Sequence, residues 1–170
     1  MEKVLAYGLT SERSEILKDT AKNYGIDVGL LSDENLEDKV GDLFLKEESG
    51  ETKGRSEFLI FSDFDRNKLR EFLLELKKNG VLVNHKCVLT ETNKDWTLGY
   101  LMGHIEDEHR MVTKFRTIGG YVQVAEKSLE ERENVKLRSI VEEAHKLKTM
   151  ELDEELLDKT IAEFQKFFKL

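Results

Sequence analysis

Polar side chains crowd residues 90–97, which connect a short apolar strand to the start of an amphipathic helix. The free N–H groups at the amino terminus of a helix attract anions. A phosphate or a carboxylate could therefore bind these amides, with the ammonium group of Lys94 as its counter-charge. The side chains of this candidate anion site would be those of Lys86, Thr90, Thr92, Asn93, Lys94, Trp96 and Thr97.

The same residues also fit a capped turn that binds no ligand. Asn93 or Asp95 would accept hydrogen bonds from the first amides of the helix, and Trp96 would anchor the helix to the sheet. Every helix needs such acceptors, and the carboxylate of Asp95 would repel an anion. The pattern therefore favours the capped turn over the anion site.

Candidate metal ligands lie on either side of this turn, at His85, Cys87, His104, Glu108 and His109. Two pairs have suitable spacing, because residues i and i+2 share a strand face and residues i and i+4 share a helix face. His109 stands at i+5 from His104 and falls off its face. The chain has no HExxH sequence and no paired CxxC. A metal site is therefore the weaker alternative, and we expect no cofactor.

Composition narrows the classes of function. The net charge of −8 does not supply the basic surface on which nucleic-acid binding depends. No run of the sequence approaches the roughly 18 consecutive apolar residues of a membrane span. The one cysteine, Cys87, indicates a reducing compartment, and its place in an apolar strand is typical of inert packing rather than of a nucleophile. We expect a cytoplasmic protein that binds neither nucleic acid nor membranes.

Apolar periodicity predicts the same order of elements, β-α-β-α, twice in the first part of the chain. Apolar runs at residues 4–7 and 58–61 each precede an amphipathic helix that ends in lysine and glycine. The segments that align are residues 24–26 with 79–81 and residues 40–43 with 98–101. This likeness indicates an internal duplication, and the alternative is that any two β-α-β-α units whose helices end in lysine and glycine look similar. The predicted fold class is α/β (α+β), with one four-stranded sheet in a ferredoxin-like or related arrangement, and an open parallel sheet is the alternative.

The two apolar runs are apolar at successive positions, so both faces of the sheet should receive apolar side chains. The two helices of such an arrangement cover only one face. We expect the second face to be covered by the helix that begins near Trp96, by the carboxy-terminal helices or by a second chain. Each large side chain left in water would otherwise forgo about 1.5–3 kcal/mol.

A helical extension follows the sheet. From Met111 onward, apolar residues recur at spacings of three and four, as they do in packed helices. We predict a sheet domain at residues 1–110, with a mobile charged loop at residues 45–57, and a helical hairpin or bundle at residues 111–170. Gly119 and Gly120 should break or kink the first helix of the extension or admit a close neighbour. The apolar stripe favours an intramolecular core, and a homodimer through the extension or the second sheet face is the alternative.

Residues 86–109, KCVLTETNKDWTLGYLMGHIEDEH, resemble a small bacterial family of uncharacterised proteins, the domain-of-unknown-function family DUF3783. The family shows an aliphatic strand, a helix ending in glycine, the block K-A-V-L-T-x-T-N-x-x-W-T and an acidic helix ending in E-H. This chain departs from the pattern in having Cys87 in place of the alanine. The resemblance extends over residues 1–110 and implies no activity, substrate or cofactor, because the family has none assigned.

These features favour a non-enzymatic binding or regulatory module that interacts with proteins. The alternative is an enzyme, or a metal- or anion-binding protein, that uses residues 90–97 with the nearby histidines. A concave pocket that joins those residues and contains a strongly perturbed titratable group would favour the alternative.

Overall fold

A computed structural model describes residues 2–47, residue 50 and residues 56–170. Much of the loop predicted at residues 45–57, namely residues 48, 49 and 51–55, lies outside the described residues. The chain divides into two compact units, Met1–Glu106 and Asp107–Leu170. None of the helices in the described residues is both long and apolar enough to cross a membrane.

The first unit contains the two predicted β-α-β-α segments. Its elements in chain order are β1 (Lys3–Tyr7), α1 (Ser11–Asn23), β2 (Asp27–Leu31), α2 (Val40–Leu43), β3 (Phe58–Phe61), α3 (Arg66–Lys78), β4 (His85–Val88) and the first turns of α4 (Leu98–Glu131). Side-chain oxygens of Thr10 and Asp65 accept hydrogen bonds from the first amides of α1 and α3. Gly25 and Gly80 follow these helices with φ angles of 66° and 94°, which glycine adopts without strain.

The strands form one sheet in the order β2-β1-β3-β4. β1 pairs with β2 and β3 with β4 in parallel, and the antiparallel pair of β1 and β3 joins the two halves. The predicted four-stranded sheet from two units is therefore confirmed. The strand order is related to the ferredoxin-like order but is not split. The two strands that α1 connects are neighbours in the sheet, and so are the two strands that α3 connects. In the split, ferredoxin-like order, a strand of the other half would lie between them.

Both faces of the sheet are covered by helices of the first unit. On one face, α1 and α3 bury Val4, Ala6, Leu59 and Phe61. On the other face, α2 and the start of α4 bury Leu5, Tyr7, Phe58 and Ile60. All of these residues are at most 2% exposed. Of the three covers expected for the second face, the structure shows one, the helix from Trp96, together with α2.

The turns that precede α2 and α4 bond to each other through their backbones. Four N–H groups donate across: Val40 N to Trp96 O at 2.9 Å, Gly41 N to Lys94 O at 2.8 Å, Leu98 N to Asp38 O at 3.0 Å and Gly99 N to Leu36 O at 2.9 Å. The arrangement is reciprocal, because Val40 and Gly41 occupy in one half the positions of Leu98 and Gly99 in the other. We call this set of bonds the reciprocal clamp.

Gly41 and Gly99 allow the two turns of the reciprocal clamp to approach each other. A Cβ atom at Gly41 would lie 3.0 Å from the carbonyl oxygen of Lys94, and one at Gly99 would lie 3.3 Å from that of Leu36. Contacts this short are tighter than a side chain normally makes, so the facing turn would have to move by a few tenths of an ångström. Glycine at both positions therefore lets α2 and α4 settle onto the second face of the sheet.

The second unit is helical, and it contains the remainder of α4, α5 (Val135–Lys146) and α6 (Glu154–Phe168). Its buried core consists of Ile118, Val122, Ala125, Leu137, Ile140, Val141, Ala144, Leu147, Leu157 and Phe164. The prediction that the apolar stripe of the extension packs in an intramolecular core is confirmed. The prediction of a break or a close neighbour at Gly119 and Gly120 is wrong, because α4 continues through both and an added Cβ would meet nothing within 4 Å.

A cluster of opposite charges joins α4 to α6 in the second unit. Arg110 binds Glu154 through two hydrogen bonds of 2.6 and 3.0 Å. Lys114 contacts the same carboxylate at 2.9 Å and Asp158 at 2.6 Å. The hydrogen bonds from Arg110 and Lys114 lower the pKa of Glu154 to about 2.

Gly41→Ala is expected to lower the free energy of unfolding by about 1–3 kcal/mol, the usual range for an overpacked contact. Gly103→Ala is its matched control, because Gly103 is also helical, lies in the same unit and would place a Cβ with nothing within 4 Å. That variant should gain about 1 kcal/mol through helix propensity alone. Urea unfolding followed by circular dichroism measures both changes. Equal stabilisation by the two alanines would contradict the role of the clamp.

Glu154→Gln tests the charge cluster through its pH dependence. Because folding lowers the pKa of Glu154 from 4.5 to about 2, the carboxylate stabilises the fold above pH 4.5, and this contribution is lost as the pH falls towards 2. The melting temperature of the native chain should exceed that of the variant at neutral pH. The two melting temperatures should converge as the pH approaches 2. The difference should be small, since the cluster is exposed. Glu151→Gln, at an exposed carboxylate outside the cluster, is the control, and a pH-independent difference would disprove the assignment.

Candidate functional site

Residues 90–97, the predicted anion site, begin with a turn that is closed by its own hydrogen bonds. Thr90 N donates to Asn93 Oδ1 at 2.8 Å, and Asn93 N donates to Thr90 Oγ1 at 3.1 Å. Asn93 Nδ2 donates to Val88 O at 3.0 Å, and Asn93 is 8% exposed. The equivalent turn after β2 repeats the first of these bonds, since Ser32 N donates to Asn35 Oδ1 at 2.9 Å. Asn93 therefore closes the turn and does not cap the helix that follows.

The amino-terminal amides of α4 have partners within the protein. Leu98 N and Gly99 N donate to carbonyl groups of the reciprocal clamp, and Tyr100 N donates to Thr97 Oγ1 at 3.3 Å. An anion at this end of the helix would have to displace those acceptors. The geometry supports a capped turn in which the facing turn and Thr97 supply the acceptors, and the anion site stays a prediction.

The other predicted anion ligands make separate contacts. Lys94 pairs with Glu91 at 2.5 Å, and this hydrogen bond raises the pKa of Lys94. Trp96 packs against the core of the second sheet face, and Thr92 is exposed. Lys86 lies on β4 and lines a groove beside α3. The structure therefore assigns Lys86 to a different surface feature from the rest of the predicted site.

The candidate metal ligands are also distributed over different contacts. His85 stacks on a phenylalanine of β3 with ring centroids 4.9 Å apart, and Cys87 packs against the core of the second face. The ring of His104 lies 5.2 Å from the indole ring, and Glu108 and His109 are exposed. Among the residues that the structure describes, no group of three or more His, Cys, Asp or Glu side chains could hold a metal ion.

An apolar groove with a volume of about 360 Å³ runs along α3 in the first unit. Its apolar lining includes Leu69, Leu73, Leu74, Val81, Leu82 and Val83, and its charged lining consists of Arg66, Arg70, Lys77 and Lys86. Leu74 is 59% exposed and Leu82 is 54% exposed, high values for leucine. We call this feature the α3 groove.

The apolar surface of α3 is wider than its own core requires. Phe72 and Leu76 are buried against the sheet, Leu73 is half-buried beside them, and Leu74 is exposed. Helical periodicity assigns the first three to one stripe and leaves Leu74 outside it. The extra leucine beside the stripe, with Leu82 in the next segment, is the signal from which the groove could have been predicted.

Arg13 of α1 fixes the segment that forms one wall of the α3 groove. Its guanidinium group donates to both carboxylate oxygens of Glu57, at 2.7 and 3.0 Å. It also donates to the carbonyl oxygens of Gly80 at 3.3 Å and Leu82 at 3.2 Å. Residues 80–82 are therefore tied to α1 by a single planar guanidinium group, which holds the wall in place.

The charges that line the α3 groove are all positive, although the whole chain carries 35 acidic against 27 basic residues. None of the ion pairs found among the described residues involves Arg66, Arg70 or Lys77. The groove is therefore a local region of positive charge on an acidic protein.

A protein family described as a domain of unknown function, DUF3783, matches this chain over residues 57–112. The matched segment runs from the start of β3 into α4, and it contains both α3 and the turn at residues 90–97. No curated protein and no solved structure matches the chain. The match confirms the resemblance to this family over residues 57–112, which include the residues 86–109 that carry it.

Proposed function

We propose that this chain is a non-enzymatic protein-interaction module, which binds a segment of another protein in the α3 groove. The observation that carries the proposal is the contiguous apolar lining, in which Leu74 and Leu82 are more than half exposed. Large apolar side chains grouped in a concave site with a charged border are typical of surfaces that bind a partner.

The chemistry of the α3 groove suits binding better than catalysis. Its lining combines aliphatic side chains with lysine and arginine, which is not the pairing of nucleophile, general base or metal ligands that a reaction requires. The alternative function, an enzyme or a metal- or anion-binding protein that uses residues 90–97 with His85, His104 or His109, stays a prediction.

We also propose that the two halves of the first unit arose by internal duplication. The reciprocal clamp supports this proposal, since equivalent residues of the two halves exchange equivalent hydrogen bonds. The bonds from Ser32 N to Asn35 and from Thr90 N to Asn93 are a second equivalent pair.

Comparison of the two halves separates what the fold needs from what the groove adds. α1 and α3 are both 13 residues long, and each is followed by an equivalent glycine, so their residues correspond one to one. At the positions of Leu74 and Arg70, α1 has Asp19 and Glu15. The fold therefore does not require a leucine and an arginine at these positions, which supports a binding role for both.

The remaining features of the proposal come from composition and resemblance. The family resemblance supports a bacterial origin, and the single Cys87 supports a cytoplasmic location, where thiols stay reduced. The net charge of −8 supports a protein partner over nucleic acid. We assign the binding function to a sheet domain at residues 1–110 and treat residues 111–170 as a helical extension, and homodimerisation stays a prediction.

Leu74→Glu tests the proposed site. Peptides of roughly 16 residues, long enough for four helical turns, are selected on the full-length chain from a displayed random library. We expect them to lose at least about tenfold in affinity for the variant, because a carboxylate would enter an apolar contact. Fluorescence polarisation measures the affinities, and circular dichroism confirms folding.

Leu45→Glu is the matched control for this experiment, because Leu45 is 86% exposed in the same unit and does not line the groove. The selected peptides should bind it as tightly as they bind the native chain. Failure to select any peptide, or equal affinity for all three proteins, would refute the proposed site.

Arg13→Lys tests the wall of the α3 groove. Lysine keeps the positive charge but cannot bind both oxygens of Glu57 and the two carbonyl groups at once. We expect faster hydrogen exchange at residues 80–83 and several-fold weaker binding of the selected peptides. Lys18→Arg, at an exposed position of the same helix, is the control. Unchanged exchange at residues 80–83 would show that Arg13 does not hold the wall.

A further inference from the structure

We infer that the occupant of the α3 groove is an acidic amphipathic α-helix of a partner protein, an inference that rests on the proposed function and adds the chemistry of the bound segment. Two features of the groove support it. Its apolar lining follows the ridges of a helix, and the cations beside that lining form no ion pair among the described residues.

The positive charges repeat along the groove. Arg66, Arg70 and Lys77 project from one side of α3, since steps of four and seven residues return to the same helical face. Lys86 of β4 adds a further cation, and its Nζ uses one of three donors on Val83 O at 3.0 Å. A partner that places carboxylates beside its apolar stripe complements this pattern, whereas a basic partner would be repelled.

The spacing of the lining side chains indicates a helical partner. Leu69 and Leu73 are one helical turn apart, and so are Arg70 and Leu74. Ridges with this i, i+4 spacing pack into the grooves of a second helix. Residues 66–77 extend over about 16 Å, which is roughly three helical turns. A partner helix with apolar residues at i, i+4 and i+7 and acidic residues on both flanks fits this length.

The concave shape of the site favours a helix over a membrane surface. Membrane binding requires an apolar face that inserts into the bilayer, and a bilayer cannot follow a groove. A helix can also place several carboxylates along the whole row of cations on α3. A small amphiphile has a single anionic group and cannot pair with the whole row.

Three synthetic peptides of equal length test the inference on the full-length chain. All have leucine at i, i+4 and i+7. The first has glutamate on both flanks, the second has lysine there, and the third is the first with a central proline that prevents a helix. In fluorescence polarisation, we expect the glutamate peptide to bind at least about tenfold more tightly than either of the others. Added salt should weaken its binding.

Exchange of charges provides a second readout. In the double variant Arg70→Glu and Lys77→Glu, the preference should reverse, so that the lysine peptide binds more tightly than the glutamate peptide. The matched control is Lys18→Glu with Lys22→Glu, at exposed cations of α1, and it should keep the native preference. Circular dichroism confirms that both double variants fold.

The outcomes distinguish this inference from the proposed function. If the glutamate peptide binds no better than the others while Leu74→Glu still weakens the library-selected peptides, the groove binds proteins but not acidic helices, and the inference falls alone. If no peptide is sensitive to Leu74→Glu, the proposed function falls as well. Self-association that Leu74→Glu abolishes would identify a second copy of this chain as the occupant. Binding of phosphatidylserine-containing vesicles to the native chain but not to Leu74→Glu would identify a membrane as the occupant. Either result overturns the inference.

Discussion

β1 and β3 bury all of their side chains at residues 4–7 and 58–61, and the rest of the first unit follows from that constraint. A strand that is apolar on both faces forgoes about 1.5–3 kcal/mol for each large side chain left in water. Antiparallel pairing places the two strands side by side at the centre of the sheet, between two helical layers. α1 and α3 form one layer, and α2 and the start of α4 form the other. The edge strands β2 and β4 have more exposed positions, because fewer of their side chains lie between these layers.

Because both faces of the sheet must be covered, the second helical layer needs the reciprocal clamp. α2 and α4 lie against the sheet when the turns that precede them meet, and backbone groups buried in such a contact must form hydrogen bonds. Each turn accepts the N–H groups of the other, and the glycines at positions 41 and 99 remove the side chains that would keep the turns apart. Beside the clamp, Thr90 and Asn93 close their own turn and Thr97 accepts a hydrogen bond from α4, so each of these three side chains has a role in folding.

Local patterns predict the features that depend on residues close in sequence. The apolar runs, the helices, the need for a cover on the second sheet face and the intramolecular core of the extension follow from periodicity. Strand order does not, because it is decided by pairs far apart in sequence, such as Val4 and Phe61. Spacing likewise groups Lys86 with the following turn, although its position on β4 directs it to the α3 groove. The lining of the groove lies within residues 66–86, where Leu74 and Leu82 are its local signal, but the contact from Arg13 that holds its wall comes from a distant part of the sequence.

The fold and the proposed binding surface use different residues of the same helix. Phe72 and Leu76 attach α3 to the sheet, whereas Leu74, Arg70 and Lys77 are exposed and can change without opening the core. The wall of the groove is held in advance by a guanidinium group, so binding does not have to order it. The conformational entropy lost on association then falls mainly on the partner segment. A segment that folds when it enters a preformed groove loses affinity to the cost of its own ordering. Its specificity then comes mainly from the placement of charges.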